Sequence, residues 1–238
     1  MKAVLCKTHG GPETLVVEDV PSLEPKPGEV VVAVHAAAVN FPDTLIIQNK
    51  YQFKPPLPFS PGGEIAGTVK AVGEGVSGYV VGDRVIAACG WGGFADEAAV
   101  SQRKVVKLAD GVSMEAGASL LITYGTTHYA LTERGGLKPG ETLLVLGAAG
   151  GTGVSAIEIG KLMGARVIAC ASSDDKVVFA REHGADEGVN YAASDLKDAL
   201  RQLTGGKGVD VVYDPIGGAQ GEAALRGMDW GGRFLVIG

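Results

Sequence analysis

The sequence has few of the side chains that bind metals or form disulfides, and it has no long apolar run. Only three cysteines, Cys6, Cys89 and Cys170, occur in 238 residues. No Cys-x-x-C pair or Cys/His spacing typical of a metal cluster is present, so we expect all three to be buried, reduced thiols. No stretch approaches the roughly 20 apolar residues of a membrane span, and the apolar run after Met1 is too short for a signal peptide. The sequence therefore predicts a cytoplasmic protein without a membrane segment.

Charged residues are also few, at 20% of the chain, and the formal net charge is -6 at pH 7. This charge argues against nucleic acid or an anionic membrane surface as the main partner. Hydrophobic residues make up 46% of the chain, which is typical of a folded globular protein. Glycine is abundant, at 37 residues, and suits tight turns and close approaches between backbone segments.

The first half of the chain has the pattern of a β domain. Six short β-rich segments are separated by Gly and Pro: KAVLCK, LVVEDV, EVVVAVHAAAV, EIAGTVKAVG, DRVIAA and ADEAAVS. The proline-rich connections 21–29 and 53–63 cannot be helical. We therefore expect a compact, β-rich domain over residues 1–118.

The second half, 119–238, alternates between strand and helix patterns. A helical pattern runs from Ser113, a candidate N-cap, to Gly135. Five apolar strand candidates follow, TLLVLG, ARVIACA, EGVNY, VDVVYD and GRFLVIG, with room for a helix between each pair. This alternation predicts an α/β domain with a doubly wound parallel sheet.

A glycine cluster follows the first of these strands. Leu143 to Leu146 lead into GAAGGTG, in which three glycines are spaced three residues apart: Gly147, Gly150 and Gly153. From Val154 onward we predict a helix with one face formed by Ala156, Ile159, Gly160 and Met163. A turn without side chains brings backbone N–H groups and a helix N-terminus to a pyrophosphate, and the last glycine permits close packing of the helix on the strand. The spacing therefore predicts a dinucleotide site, although a turn of this kind can also need glycine for steric reasons alone.

The end of the second strand indicates which dinucleotide binds. An NAD site usually has Asp or Glu about 20 residues after the glycine turn, to bond the ribose hydroxyls. Here Ser172 and Ser173 occupy that point, and Lys176 lies one helical turn further on. Two hydroxyls and an ammonium suit a 2′-phosphate, which favours NADPH. Asp174 and Asp175 leave an alternative open, because either fits a ribose contact or the first turn of the next helix.

Together these residues resemble the medium-chain dehydrogenase/reductase superfamily, and within it the zinc-free quinone oxidoreductase branch that includes zeta-crystallin. Five segments match its pattern in order, and they span the chain: NFPDTLIIQNKY (40–51), PFSPGGEIAGTVKAVGEGV (58–76), GDRV (82–85), GAAGGTG (147–153) and VVYDPIGG (211–218). The resemblance implies a GroES-like catalytic domain followed by a Rossmann domain.

The resemblance also implies roles for individual residues. Asn40 and Thr126 would lie near the nicotinamide, and Tyr191 would flank the adenosine. Tyr51 matches the tyrosine that zinc-free enoyl reductases use as proton donor, although a packing role beside FKPPLPF is equally compatible with the sequence. The remaining expected NADPH-binding residues are Gly147, Ala149, Gly150, Gly151, Thr152, Gly153, Ser172, Ser173 and Lys176.

Zinc-dependent relatives have a Cys and a His where this chain has Asn40 and Gly63, so we expect no bound metal. The resemblance then implies hydride transfer from NADPH to a small electrophile, either a quinone or an alkene conjugated to a carbonyl. Two alternatives stay open: an enoyl-thioester reductase, and a non-catalytic, crystallin-like NADPH-binding protein. Relatives continue past the strand FLVIG, so we expect a truncated Rossmann domain that lacks its last strand and return segment, and a homodimer for the full-length protein.

Overall fold

The computed structural model describes residues 1–237, which fall into two compact units, Met1–Ile122 and the chain from Thr123 onward. The sequence pattern placed the change between residues 118 and 119. No helix within residues 1–237 is both long enough and apolar enough to cross a membrane.

The first unit is built on an antiparallel sheet in the order β6-β3-β4-β5-β7, beside a β1-β2 pair. The strands are β1 (Lys2–Leu5), β2 (Val16–Asp19), β3 (Glu29–Ala38), β4 (Glu64–Val72), β5 (Arg84–Ala88), β6 (Glu97–Ser101) and β7 (Val105–Lys107). Two short helices, α1 (Phe41–Ile46) and α2 (Met114–Ala118), accompany them. The six strand segments expected in this half are confirmed, and β7 is a strand that the pattern did not predict.

Both faces of this sheet are buried, because successive side chains of a strand point to opposite sides. Ile65 and Val85 pack into one apolar cluster, whereas their chain neighbours Ala66 and Ile86 pack into another. The second cluster includes Ala118, at the end of α2. The GroES-like, β-rich fold expected for this half is confirmed.

The helical pattern expected from Ser113 to Gly135 is interrupted in the structure. Ser113 does cap α2, since its side chain accepts a hydrogen bond from the N–H of Ala116. Beyond α2 come a π-helical turn over Leu121–Gly125, a short helix α3 (Thr126–Tyr129) and a second π-helical turn over Ala130–Arg134. The break has a physical cause, because the N–H groups of Leu121 and Ile122 donate to the buried carboxylate of Glu64 and not to the preceding helical turn.

The second unit is a parallel sheet in the order β10-β9-β8-β11-β12, with β8 at its centre. The strands are β8 (Thr142–Leu146), β9 (Arg166–Ala171), β10 (Glu187–Asn190), β11 (Val209–Asp214) and β12 (Met228–Val236). The connecting helices are α4 (Gly151–Leu162), α5 (Asp174–Glu182), α6 (Leu196–Leu203) and α7 (Gly218–Arg226). In chain order the strands are arranged 3-2-1-4-5, as in a dinucleotide-binding sheet, so the Rossmann prediction is confirmed.

The five predicted strands are all present, and the boundaries of the first four lie within one residue of the prediction. The last strand begins at Met228, four residues before the predicted start at Gly232, because Met228 pairs with Val209 on the far side of a bulge that precedes the Val211–Arg233 pair. The predicted end of that strand, Gly238, lies outside the described residues.

Strand β8 anchors both layers of the second unit, and every one of its residues is buried. Leu143 and Val145 pack with residues of α4 and α5, whereas Leu144 and Leu146 pack with residues of α6 and α7. Because β8 is packed on both faces, the position of the glycine turn at its carboxyl end is fixed.

Helix α4 approaches β8 and the turn so closely that two of its positions have no room for a side chain. A Cβ on Gly153 would lie 2.4 Å from the carbonyl oxygen of Gly147, and a Cβ on Gly160 would lie 2.6 Å from Leu143 Cδ2. The close packing expected at the last glycine of the cluster is therefore confirmed. The helix starts at Gly151, three residues earlier than predicted, because its first turn includes the glycines themselves.

The predicted buried face of α4 is partly correct. Ala156 and Gly160 are buried, but Ile159 and Met163 are only partly buried. Ile157, which was not assigned to this face, is fully buried. The early helix start and the close contact at Gly153 favour the side of the helix that carries Ile157.

The expectation of three buried cysteines is correct for Cys6 and Cys170 and wrong for Cys89, which is half-buried. Cys89 lies just beyond β5, where its Sγ is 3.3 Å from the carbonyl oxygen of Gly62. Desolvation raises the pKa of the Cys89 thiol to about 12, so it is protonated at neutral pH.

Adding one methyl group at Gly153 tests the packing of α4. We expect Gly153→Ala to lower stability by about 1–3 kcal/mol, because the new Cβ meets backbone atoms that cannot rotate away. Gly125→Ala is the matched control, since a Cβ there meets nothing within 4 Å and its φ of -62° suits alanine. Urea denaturation of both variants measures the difference. Equal stability of the two variants would contradict this account of the packing.

Candidate functional site

The glycine turn lies where the order of the parallel strands reverses. Neighbouring strands β8 and β11 continue into helices on opposite faces of the sheet, and such a point opens a crevice at the carboxyl ends of the strands. Gly147 directly follows β8 and has a φ of +59°, and a Cβ there would lie 2.9 Å from Ile216 Cγ2, in the loop after β11. Both the backbone conformation and the close neighbour require glycine at this position.

The first turn of α4 presents backbone N–H groups at this crevice. Gly150 is the N-cap, and its own N–H donates to the carbonyl of Gly147 over 2.9 Å. The N–H groups of Gly151, Thr152 and Gly153 belong to the first turn, where a helix supplies no intrahelical acceptors. Together with the helix dipole, these groups favour an anion such as a pyrophosphate.

A cavity of about 190 Å³ extends from this turn to the end of β9. Its lining includes six of the residues expected to bind the cofactor, together with Ala171: Gly147, Ala149, Gly150, Ser172, Lys176 and Tyr191. The Lys176 Nζ lies 3.2 Å from Ser172 Oγ, and both side chains are exposed. An ammonium and a hydroxyl therefore meet at the end of the cavity away from the glycine turn, an arrangement that suits a phosphate group.

The two acidic residues near Lys176, Asp174 and Asp175, stabilise the start of helix α5. Asp174 and Asp175 lie in the first turn of α5, where the helix dipole favours acids. Asp174 also accepts a hydrogen bond of 2.9 Å from the side chain of Asn190. Ser173 is the N-cap residue of α5. The structure thus places both acids in the first turn of the next helix, as one of the two alternatives expected from the sequence has it.

Thr126, expected near the nicotinamide, lines a different cavity. That cavity has a volume of about 690 Å³ and is also lined by Tyr129, Arg134 and residues of β12. The structure therefore does not bring Thr126 into the cavity beside the glycine turn.

In the first unit, two buried carboxylates accept hydrogen bonds from Asn40. Asp43 accepts hydrogen bonds from the N–H groups of Asn40, over 2.8 Å, and Gly62, over 3.2 Å, and so caps the start of α1. Glu64 Oε2 accepts a 3.3 Å hydrogen bond from Asn40 Nδ2, while its Oε1 accepts from the N–H groups at the start of the π-helical turn. The amide of Asn40 is thus oriented by Glu64, which leaves one side-chain N–H for another partner.

Burial changes the acidity of both carboxylates. Asp43 is 6% exposed and Glu64 is fully buried. Desolvation raises the pKa of each, and the hydrogen bonds that each carboxylate accepts partly oppose this rise. The nearby charge of Asp43 adds to the rise in the pKa of Glu64. No local sequence pattern indicates the role of Glu64, since its backbone partners Leu121 and Ile122 are distant in the chain.

Tyr51 packs as an aromatic wall. Its ring meets Phe53 edge-on, with centroids 5.6 Å apart, and it borders an apolar cluster that contains Ile46 and Phe59. Within residues 1–237 the Tyr51 hydroxyl has no hydrogen-bond partner. Packing therefore holds the Tyr51 ring in place, and its hydroxyl is available to hydrogen-bond another group.

The metal-ligating residue types do not cluster. Over the described part of the chain, no three His, Cys, Asp or Glu side chains lie together in an arrangement that fits a metal ion. At Gly63, where zinc relatives carry His, a Cβ would make only ordinary contacts, 3.5 Å from the carbonyl oxygen of Gly90 and from Ile122 Cδ1.

Comparison with protein-family models matches both units. Residues 26–110 match the alcohol dehydrogenase GroES-like domain, and residues 151–238 match the family described as zinc-binding dehydrogenase. Both matches agree with the order of domains in the structure.

Individual relatives cover the whole chain. It is 39% identical to quinone oxidoreductase-like protein 2 of Rattus norvegicus over 238 residues, which are 67% of the rat protein. A crystal structure of a probable oxidoreductase from Mycobacterium abscessus superposes with a TM-score of 0.91 at 41% identity, and the chain covers 75% of it. The quinone oxidoreductase of Escherichia coli complexed with NADPH gives a TM-score of 0.91 at 31% identity, with 76% of that chain covered.

These matches extend over both units, at identities that show common ancestry as well as a common fold. They agree with the glycine turn, with the strand order of the second unit and with the antiparallel sheet of the first. The chain belongs to the quinone oxidoreductase branch of the medium-chain dehydrogenase/reductase superfamily.

Proposed function

We propose that this protein is an NADPH-dependent reductase that transfers hydride to a small electrophile, a quinone or an alkene conjugated to a carbonyl. The observation that carries the proposal is the cavity that runs from the glycine turn to Lys176, with helix-terminal N–H groups at one end and an ammonium beside a hydroxyl at the other. The relative from Escherichia coli, complexed with NADPH, supports the same cofactor.

The residues of the second unit fit NADPH on chemical grounds. The first turn of α4 would hold the pyrophosphate, because it offers N–H groups and a positive dipole end without side chains in the way. Lys176 and Ser172 would hold the 2′-phosphate by donating hydrogen bonds to its oxygens, one from the ammonium and one from the hydroxyl. Tyr191, in the wall of the cavity, would flank the adenine. When bound, NADPH supplies the hydride that reduces the substrate.

In the first unit, Asn40 and Tyr51 are the residues we assign to the substrate. Glu64 holds one N–H of the Asn40 amide, so the second N–H is available to a substrate oxygen that gains negative charge. The unpartnered Tyr51 hydroxyl would donate a proton to the carbon that becomes a carbanion after hydride addition to an alkene. A quinone needs no such donor, because its reduced anion is stable enough to be protonated by water.

Replacing Lys176 tests the cofactor assignment. We expect Lys176→Ala to weaken NADPH binding about tenfold and NADH binding little, because a charge-assisted hydrogen bond contributes about 1.5–3 kcal/mol and this one is exposed. Lys197→Ala, at an exposed site on α6, is the charge-matched control. Fluorescence titration with both coenzymes measures the binding. If both coenzymes lost affinity equally, Lys176 would only support the fold, and if neither did, it would lie outside the site.

Replacing Tyr51 separates the catalytic role from the packing role. We expect Tyr51→Phe to slow reduction of an enone or enoyl thioester by roughly 10²–10⁴-fold, because the proton donor is lost while the ring stays. Reduction of a quinone by the same variant should change far less, and it serves as the internal control. Steady-state NADPH oxidation with one quinone, one enone and one enoyl thioester provides the rates.

Three other results are informative in the same assay. If both classes of substrate kept their rates, Tyr51 would be a packing residue only. A strong preference for the thioester would identify an enoyl-thioester reductase. Tight NADPH binding without turnover of any substrate would contradict the catalytic proposal and favour a binding protein.

A further inference from the structure

A chain of three buried hydroxyl groups joins α3, α4 and β11 in the second unit. Thr127 Oγ1 lies 2.7 Å from Ser155 Oγ and 2.7 Å from the hydroxyl of Tyr213, and all three residues are fully buried. Ser155 Oγ also lies 2.9 Å from the carbonyl oxygen of Thr152 and 3.3 Å from that of Thr123. The hydroxyl chain therefore ends on the first turn of α4, which forms the glycine turn.

The positions of the protons give this chain a single direction. Each hydroxyl has one proton to donate, and leaving a buried one unpaired is unfavourable. Within the described residues the Tyr213 hydroxyl has no hydrogen-bond partner other than Thr127. Its proton is therefore paired only if Tyr213 donates to Thr127. Thr127 then donates to Ser155, and Ser155 donates to the backbone carbonyls. All three protons are used only in this order.

A second contact joins the same two segments one helical turn away. Tyr124 donates to Glu158 Oε2 over 2.6 Å, and Glu158 Oε1 lies 3.1 Å from Nδ1 of His183. The hydrogen bond to Glu158 raises the pKa of Tyr124 to about 12, so the phenol keeps its proton and acts as the donor. Residues 124 and 127 are three apart, as are residues 155 and 158, so the two contacts are successive links between facing helical turns.

We propose that these two links, Thr127–Ser155 and Tyr124–Glu158, hold the glycine turn in the position that binds NADPH, and that Thr127 is a positioning residue for the cofactor. The proposal rests on the proposed function. The two links fix the 123–127 segment, which lies directly against the glycine turn, since a Cβ on Gly151 would lie 3.3 Å from Thr123 Cγ2. A shift of this segment would therefore displace the N–H groups of the first turn of α4 from the pyrophosphate.

Polar links suit this task better than apolar packing would. A hydrogen bond between two buried hydroxyls requires a particular separation and angle, whereas apolar side chains pack acceptably over a wider range of positions. The links therefore specify where α4 lies along the 123–127 segment, in addition to any stability they contribute.

The test compares Thr127→Val with Thr127→Ser. Valine has nearly the shape of threonine but no hydroxyl, so we expect the dissociation constant for NADPH to rise about fivefold. Serine restores the hydroxyl, so its dissociation constant should stay within about twofold of the wild type. Leu200→Ala, in the apolar cluster on the other face of the sheet, is the control that lowers stability without touching the links. Binding is measured by fluorescence titration below the melting temperature of every variant.

Amide hydrogen exchange over residues 150–158 gives a second readout that does not depend on the cofactor. Exchange should be faster in Thr127→Val than in Leu200→Ala, even if Leu200→Ala is the less stable protein. Should Thr127→Val fail to fold, Tyr124→Phe takes its place. It removes the half-exposed outer link, and we expect a smaller rise of about twofold in the dissociation constant together with faster exchange.

Two results would overturn the proposal. One is a dissociation constant for NADPH in Thr127→Val equal to that in Leu200→Ala, and the other is an equal amide exchange rate over residues 150–158 in these two variants. Either would show that the hydroxyl chain contributes only to the stability of the core. A wild-type protein that binds no NADPH would contradict the proposed function. The exchange data would still show whether the links hold the turn.

Discussion

The proposed cofactor site depends on the close approach of helix α4 to the end of strand β8, which the absence of a side chain at Gly153 permits. A methyl group there would overlap the backbone of Gly147 and Ala148. With only hydrogen at that position, the first turn of α4 reaches the crevice between β8 and β11, and its N–H groups face the space where the strand order reverses. The fully buried β8 holds the other side of this contact in place. The anion binding that we propose at the turn would thus follow from packing in the core.

A buried carboxylate organises the first unit in a comparable way. Glu64 accepts hydrogen bonds from Leu121 and Ile122 in the backbone and from the side chain of Asn40. Three donors compensate for taking the carboxylate out of water, and they join β4 to the start of α1 and to the π-helical turn. The same carboxylate interrupts one helix and orients the amide that we assign to the substrate.

The features that repeat along the chain could be predicted from the sequence, and those set by distant partners could not. The alternation of apolar strands with helices, and the glycine spacing around Gly150, depend on neighbours within a few residues, so the Rossmann fold and the glycine turn were predictable. The hydrogen bond between Leu121 and Glu64 joins residues 57 positions apart, and no local pattern signals that the helix breaks there. The hydrogen bond between Tyr213 and Thr127 joins residues 86 positions apart. Neither residue alone differs in sequence context from an ordinary core residue.

If Lys176 and Ser172 hold a 2′-phosphate as proposed, the cavity beside the glycine turn distinguishes a 2′-phosphorylated adenosine from an unphosphorylated one. The most direct test is calorimetric titration of the protein with adenosine 2′,5′-bisphosphate and with adenosine 5′-monophosphate, which differ only in the group assigned to Lys176 and Ser172. We expect the bisphosphate to bind at least about tenfold more tightly, a difference of about 1.4 kcal/mol, and Lys176→Ala to remove most of this difference. Equal affinity for the two nucleotides in the wild-type protein would show that the cavity holds no 2′-phosphate site.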